Sequence, residues 1–183
     1  MRRAFAAGAT LALLALPAGA TAKPTNTDRT NAAKECRTER GTTALTREAF
    51  RAQYGTNASG KNAFGKCVSK RARAEERQRK AARTNASKEC DAERTADPTL
   101  FATTYGTGKN GRNAFGKCVS QKAKENKQEA DAKDAEQIQE RKNAARECGA
   151  ERSADAEAFR QKYGTNANKR NAFGKCVSQK ASA

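Results

Sequence analysis

The hydrophobic positions of this chain form one long apolar run near the N-terminus and, after it, short apolar groups separated by long polar stretches. The same groups recur three times: an aromatic pair spaced four residues apart, and then a segment reading AFGKCVS. Phe50 and Tyr54 form one such pair, and residues four apart lie on one face of a helix. Phe64, Cys67 and Val68 share a helical face in the same way. The pattern therefore predicts short helices, each with one narrow apolar face.

This recurrence reflects three copies of one unit, which span residues 31–70, 85–122 and 143–183. Each copy reads as three helical pieces, so the predicted fold is all-α: three tandem small helical units. The first piece contains a Lys/Arg-Glu-Cys segment, and the second ends at the glycine that follows the tyrosine. The third piece is AFGKCVS, and the asparagine before it is expected to be the N-cap residue of the helix. Those asparagines are Asn62, Asn113 and Asn171.

A glycine recurs inside each predicted third helix, at positions 65, 116 and 174. Glycine in a helix interior costs about 1 kcal/mol relative to alanine. The expected compensation is a close backbone contact with the tyrosine ring or with the first helix of the same unit.

Two connectors, residues 71–84 and 123–142, contain neither proline nor glycine and are rich in strong helix formers. Both are predicted to be continuous, solvated, polar helices that join the units. Three pairs with the acid four residues before the base support this prediction, namely Glu75–Arg79, Glu76–Lys80 and Glu129–Lys133. The alternative is a disordered charged linker, because no apolar stripe anchors either segment.

Residues 1–22 have the pattern of a signal peptide. Arg2 and Arg3 precede an apolar run, small residues follow it, and cleavage is expected after Ala22. This predicts a secreted or extracytoplasmic protein of the cell envelope, with residues 23–30 as a flexible N-terminus. The alternative is a retained N-terminal membrane helix, for which the apolar run is short.

The six cysteines lie after this segment, and export with an even cysteine count indicates disulfides. If the connectors are helical, Cys67 and Cys90 lie about 34 Å apart and Cys118 and Cys148 about 45 Å apart. A disulfide needs Cα atoms within about 7 Å. Five of the fifteen possible pairings contain one of these two pairs, so ten remain. One of the ten keeps every bridge inside its own unit: Cys36–Cys67, Cys90–Cys118 and Cys148–Cys176. The rival role, redox catalysis, needs an exposed thiol of low pKa, and the chain has no C-x-x-C.

Composition argues against an enzyme. The chain has no histidine, which excludes histidine bases and histidine-ligated zinc or haem. Units of about forty residues with three aromatic rings each have little room for a catalytic pocket. No catalytic residue, metal ligand, cofactor or small-molecule substrate is therefore expected.

Charge indicates anionic partners. The net charge is +17, and the most basic run extends from Lys70 to Arg83. The loop before each third helix carries cations next to a helix N-terminus, where free N–H groups favour anions. The candidate anion-binding residues are Lys61, Lys109, Arg112, Lys169 and Arg170. The alternatives are a solvated turn for the loops and a solvated helix face for the basic run.

The triple NAFGKCVS, with an upstream Lys/Arg-Glu-Cys and a Phe-x-x-x-Tyr-Gly, resembles uncharacterised exported Cys-repeat proteins of actinobacterial type. The resemblance covers nearly all of the chain after residue 22 and implies no activity and no site.

The residues themselves predict a non-catalytic binding module for a polyanion, such as a cell-wall polymer, an anionic lipid surface or extracellular nucleic acid. Three weak sites in tandem would gain avidity. The alternatives are a structural spacer or protein-interaction rod of the cell envelope, and a small secreted toxin or inhibitor.

Overall fold

The computed structural model describes residues 23–57, 59–108 and 110–182, and within them the chain forms seven α-helices and no strand. The predicted signal peptide and Lys109 lie outside the described residues. The helices are α1 (Asn26–Arg40), α2 (Ala44–Tyr54), α3 (Ala63–Ala96), α4 (Pro98–Tyr105), α5 (Ala114–Ala154), α6 (Ala156–Tyr163) and α7 (Ala172–Lys180). Three small helical units, each stapled by one disulfide, are joined by the long polar helices α3 and α5, so the predicted fold class is confirmed.

The disulfides are Cys36–Cys67, Cys90–Cys118 and Cys148–Cys176, and the predicted pairing is confirmed. In each bridge the two Cα atoms lie 6.0 Å apart, and all six cysteines are fully buried. Closing a loop of about thirty residues contributes roughly 3.5 kcal/mol on the chain-entropy account. That contribution matters here because each unit has a small core, such as Phe50, Tyr54 and Ala63 around the first bridge.

Some of the helices begin at a residue whose side chain caps them, and others do not. Asp97 caps α4 by accepting a hydrogen bond from the N–H of Leu100 at 2.9 Å, and Pro98 begins the helix. The asparagine before each AFGKCVS segment stands at the N-cap position, but its side chain does not cap the helix. Asn62 instead accepts from the N–H of Thr56 and donates to its hydroxyl, at 3.1 and 2.7 Å.

The predicted N-cap positions are therefore confirmed, but the usual side-chain hydrogen bond of an N-cap residue is not made, and the backbone explains why. Asn62, Asn113 and Asn171 have ψ values near 0°, whereas a capping residue is normally extended. Each asparagine closes the preceding loop onto a threonine in the same way. The loop shape is therefore the same in all three units.

The connectors are continuous helices, as predicted, but they are not solvated on every side. Helices α3 and α5 pack along each other, α1 packs on α3, and α7 packs on α5. Ala72, Ala82 and Ile138 are buried within the connector segments, and so is Glu75. Of the predicted pairs along one helix, Glu76–Lys80 forms at 2.8 Å, whereas Glu75 pairs across helices with Lys127 at 2.8 Å. The packed faces consist of small residues and ion pairs, which leave no apolar stripe in the sequence.

The reversal of the chain brings units 1 and 3 together. Helix α3 leads from unit 1 to unit 2 and α5 returns to unit 3, so α2 contacts both α5 and α7. Among the described helices, α4 of unit 2 contacts only α3 and α5. Unit 2 therefore stands alone at the other end of the helix pair.

Glycines make the contact between units 1 and 3 possible. A Cβ atom added at Gly149 would lie 2.6 Å from Leu45, and one added at Gly174 would lie 2.9 Å from the Cβ of Ala52. At Gly65 and Gly116 an added Cβ would meet nothing within 4 Å. The expected close contact within each unit is therefore wrong at these two positions. At Gly174 the contact exists, but its partner is α2 of another unit.

Alanine at the three equivalent glycines should therefore have opposite effects. Gly65→Ala and Gly116→Ala should each raise the free energy of unfolding by up to about 1 kcal/mol, because alanine favours the helix and meets no neighbour. Gly174→Ala should lower it, because the new methyl group collides with Ala52. Urea denaturation of the three single variants measures this, and the same effect at all three positions would contradict the packing of α2 on α7.

Removing single disulfides should show that unit 2 depends most on its bridge. The bridges of units 2 and 3 both close a separation of 28 residues, so the chain-entropy loss is the same, roughly 3.5 kcal/mol. Unit 3 keeps a larger core that includes Leu45 and Ala49 of α2, which unit 2 lacks.

We expect amide protection in α4 to disappear in the Cys90→Ser/Cys118→Ser variant. Part of the protection in α6 should survive in the Cys148→Ser/Cys176→Ser variant. Hydrogen exchange at 37 °C compares the two, and equal loss in both would contradict the difference in packing.

Candidate functional site

Of the predicted anion-binding loop residues, the four that the structure describes do not assemble into one site. Lys61, Arg112 and Arg170 are exposed on the loops of three different units. Lys169 donates from Nζ to the carbonyl oxygen of Gly164 at 3.0 Å, which satisfies the end of α6. The loops of units 1 and 3 border a common groove of about 840 Å³ that includes Arg170, whereas Arg112 lies at the unit 2 end. Their role in binding anions stays a prediction.

A different set of cations converges beside α1 and α3. Lys23, Arg29, Arg73 and Arg77, here called the basic face, border one cavity of about 650 Å³. All four side chains are exposed, and in the described part of the chain no carboxylate lies within 4.0 Å of their nitrogen atoms. Arg73 and Arg77 lie four residues apart on α3, and α1 supplies Arg29 from the neighbouring helix. The sequence shows the basic run on α3 but does not show that α1 packs beside it.

More acidic than basic residues are buried, so the exposed surface carries a larger excess of positive charge than the composition alone indicates. Four carboxylate residues are buried among the described residues, against one buried base, Arg71. The buried acids are Asp28, Glu39, Glu75 and Glu76. Asp28, Glu39 and Glu75 pair with side chains of other helices. Glu76 pairs with Lys80 on its own helix and borders the cavity of the basic face, whereas most cations of α3 point to solvent. The positive charge therefore concentrates on the outside of the helix assembly.

Glu39 is the central acceptor of a buried network. Its carboxylate accepts from the Tyr54 hydroxyl at 2.9 Å, from Arg71 at 2.8 Å and from Arg141 at 2.9 Å. These partners come from α2, α3 and α5, so one carboxylate joins four helices. Burial and the nearby Glu39 raise the pKa of Tyr54 above its ordinary value. Tyr54 therefore acts as a neutral hydrogen-bond donor.

The same tyrosine–glutamate bond recurs in the other units. Tyr105 donates to Glu93 and Tyr163 donates to Glu151, both at 2.9 Å. Sequence reasoning missed these glutamates, although a signal was present, because each is the third residue after the first cysteine of its unit. Only in unit 1 does the bond lie deep within the assembly, since Glu39 is buried and Glu93 and Tyr105 are more exposed.

A second acidic group, Glu35, Glu75 and Asp134, joins α1, α3 and α5. Its carboxylate oxygens lie within 4.8 Å of one another, which is close enough to share a cation. Two of its three carboxylates already pair with cations of the protein, Glu35 with Arg71 and Glu75 with Lys127, both at 2.8 Å, and Asp134 accepts a hydrogen bond from Gln78. Burial, followed by the neighbouring Glu75, raises the pKa of Glu35 to about 7. The group is therefore an ion network that links three helices, and its member Glu35 titrates near neutrality.

Comparison of the chain with known protein families, curated proteins and solved structures gives no match. None of the helices in the described part of the chain is long and apolar enough to cross a membrane. The three disulfides are compatible with an oxidising compartment.

Stability should fall as the pH rises toward neutrality because of Glu35. Its pKa is about 7 in the folded protein and near 4.5 in the unfolded chain, so the folded state binds more protons between these values. The free energy of unfolding therefore decreases as the pH rises from 4.5 to 7.

Glu35→Gln should make the difference in Tm between pH 5.0 and pH 7.5 smaller. The matched control is Glu147→Gln, since Glu147 also precedes the first cysteine of its unit but has a side chain that is 60% exposed. Circular-dichroism melts of the two variants and the parent protein measure the effect. An unchanged pH dependence in Glu35→Gln would contradict the assignment.

Proposed function

We propose that this chain is an exported, non-catalytic binding protein whose basic face holds an anionic polymer of the cell envelope or the extracellular space. The proposal rests on the unequal burial of acidic and basic side chains. Four acids but only one base are buried among the described residues of a chain with a net charge of +17. The remaining exposed cations attract polyanions over the distance that salt screening allows.

The geometry of the basic face suits an extended polymer. Arg73 and Arg77 are separated by about 6 Å along the axis of α3, and Arg29 and Lys23 extend the cluster sideways. A chain of repeating phosphate or carboxylate groups could contact several of these cations at once. Every described aromatic ring is buried or half-buried, so the proposed contacts are with backbone charges and not with stacked bases.

Export fits the same proposal. Cleavage after Ala22 would leave Lys23 as the first residue, and its α-amino group would add a positive charge to the basic face. Disulfides persist in the oxidising compartments that an exported protein reaches. Catalysis is not proposed, since the described acids that are buried take part in ion pairs or hydrogen bonds with the protein's own side chains.

One observation favours the spacer as a second candidate function. Helix α3 has 34 residues and is therefore about 51 Å long, and it separates unit 2 from the paired units 1 and 3. A spacer needs this length but does not need the basic face.

Removing the basic face should weaken polyanion binding. The variant Lys23→Gln/Arg29→Gln/Arg73→Gln/Arg77→Gln should bind inorganic polyphosphate more than about tenfold less tightly at 0.15 M salt, because each lysine or arginine near an anionic surface contributes about 1 kcal/mol. The dependence of its affinity on salt should also become less steep, since fewer counterions are released. Fluorescence titration at several salt concentrations measures both.

The control variant removes the same charge from scattered, exposed lysines that have no ion pair among the described residues: Lys34→Gln/Lys117→Gln/Lys133→Gln/Lys175→Gln. It should lose less than about threefold in affinity. Equal losses in the two variants would show attraction by net charge alone and no site at α1 and α3. Absence of binding by the parent protein near physiological salt would leave the spacer as the better candidate.

A further inference from the structure

Unit 2 has an open groove with an apolar floor. The groove lies between α3 and α5, has a volume of about 1130 Å³, and exposes Phe115, Gly116, Val119 and Ala123. Gly116 is exposed, and the other three residues are half-buried. Nothing in the described structure covers this floor.

The same four residues are covered in unit 3. Phe173, Gly174 and Val177 occupy the equivalent positions of the third AFGKCVS segment, and Phe173 and Val177 are buried. Ala181 is the fourth. Helix α2 of unit 1 lies over this face, with Leu45 and Ala49 against the core and the Cβ of Ala52 opposite Gly174. Identical floor residues are therefore a helix-docking face in one unit and an open surface in another.

The two faces also differ in whether their cations have acidic partners. Arg141 and Arg83 each stand seven residues before the first cysteine of their units. Arg141 donates to Glu39 of the docked unit 1 at 2.9 Å, whereas Arg83 is exposed and, in the described part of the chain, has no carboxylate within 4.0 Å. Lys124 lines the rim of the open groove where unit 3 has Ser182. The open groove therefore combines an apolar floor with three cations, Arg83, Lys88 and Lys124, that have no acidic partner in the described part of the chain, while the other cations that line it are paired within the protein.

We propose that this groove binds an acidic amphipathic helix of a partner protein. The pattern of the partner follows from α2, which presents Leu45, Ala49 and Ala52 at positions i, i+4 and i+7. Glu48 at position i+3 forms a two-bond ion pair with Arg152, at 2.7 and 3.0 Å. Arg94 stands at the equivalent place in unit 2, four residues after the first cysteine, where it pairs with Asp91 at 2.6 Å, so a partner glutamate would replace Asp91 in this pair. Asp91 itself stands where unit 3 has Gly149, against which Leu45 packs, so the partner helix has a residue smaller than leucine at position i.

Charge complementarity selects this occupant over two others. A second copy of this chain carries +17, and its α4, the counterpart of α2 in unit 2, has no acidic residue. A polyanion would neutralise the rim but would leave the apolar floor exposed to water. An acidic amphipathic helix satisfies both the rim and the floor.

The test uses a synthetic acidic helical peptide with Ala, Glu, Ala and Ala at the spacing of Leu45, Glu48, Ala49 and Ala52, and fluorescence anisotropy on the full chain. Alanine replaces leucine at the first position because Asp91 stands where unit 3 has Gly149. Gly116→Leu should weaken binding at least about tenfold, because the side chain fills the groove where the protein itself leaves space. Gly65→Leu is the matched control, since it stands in the same AFGKCVS context with equal space, and it should change the affinity less than about twofold.

Charge is tested separately. Arg83→Gln should weaken peptide binding about fivefold, whereas Arg77→Gln, on the same helix but outside the groove, should have little effect. Equal effects of Gly116→Leu and Gly65→Leu would overturn the proposal. So would equal binding of a scrambled peptide of the same composition, because the groove would then sense charge only.

Anionic phosphatidylglycerol vesicles provide the remaining comparison. If vesicles bind in a manner that Gly116→Leu abolishes while the helical peptide does not bind, the occupant is a membrane surface and the proposal is wrong. The four-fold variant of the basic face should keep its affinity for the peptide within about threefold, so this result is independent of polyanion binding.

Discussion

The carboxylate of Glu39 is the contact on which the arrangement of the three units depends. It lies at the junction of α1, α2, α3 and α5, and it accepts hydrogen bonds from a tyrosine and two arginines. A buried carboxylate without such partners would destabilise the protein by several kcal/mol. The network therefore makes the approach of α5 to unit 1 a condition of folding and not an incidental contact. Because α5 also carries unit 3, the same carboxylate sets where that unit stands.

Small units with few aromatic rings obtain their stability from several weak sources. Each has one disulfide, one tyrosine–glutamate bond and one tilted Phe–Tyr pair with ring centroids 4.9 to 5.0 Å apart. Units 1 and 3 add a shared interface of small residues, with Gly149 and Gly174 allowing close approach. Unit 2 has the disulfide, the tyrosine–glutamate bond and the Phe–Tyr pair, but it lacks the shared interface. Near-identical sequences thus differ in environment, which is why the surface that α2 covers in unit 3 stays open in unit 2.

The sequence allows the local features to be predicted, because they depend on spacing along one helix. The cysteine pairing followed from the threefold repeat, since the length of the helical connectors excluded only some of the alternatives, and the α4 cap followed from Asp97 and Pro98. The packing of α3 on α5 could not be predicted, since alanines such as Ala72 and Ala82 lie among charged residues and form no stripe. The open space around Gly116 and the close contact at Gly174 could not be predicted from local sequence either. The two glycines stand in identical copies of the segment AFGKCVS. The basic face likewise depends on α1 lying beside α3, a long-range contact.

The contact between units 1 and 3 follows a rule of alternation. Successive long helices run in opposite directions, so units two places apart meet, and the second helix of the earlier unit covers the third helix of the later one. Leu100, which is 62% exposed, stands directly before Phe101 as Ala49 stands before Phe50. An array built on this rule would grow as two parallel rows of units on either side of a stack of helices. Every added unit would then extend one row and expose a fresh docking helix at its end.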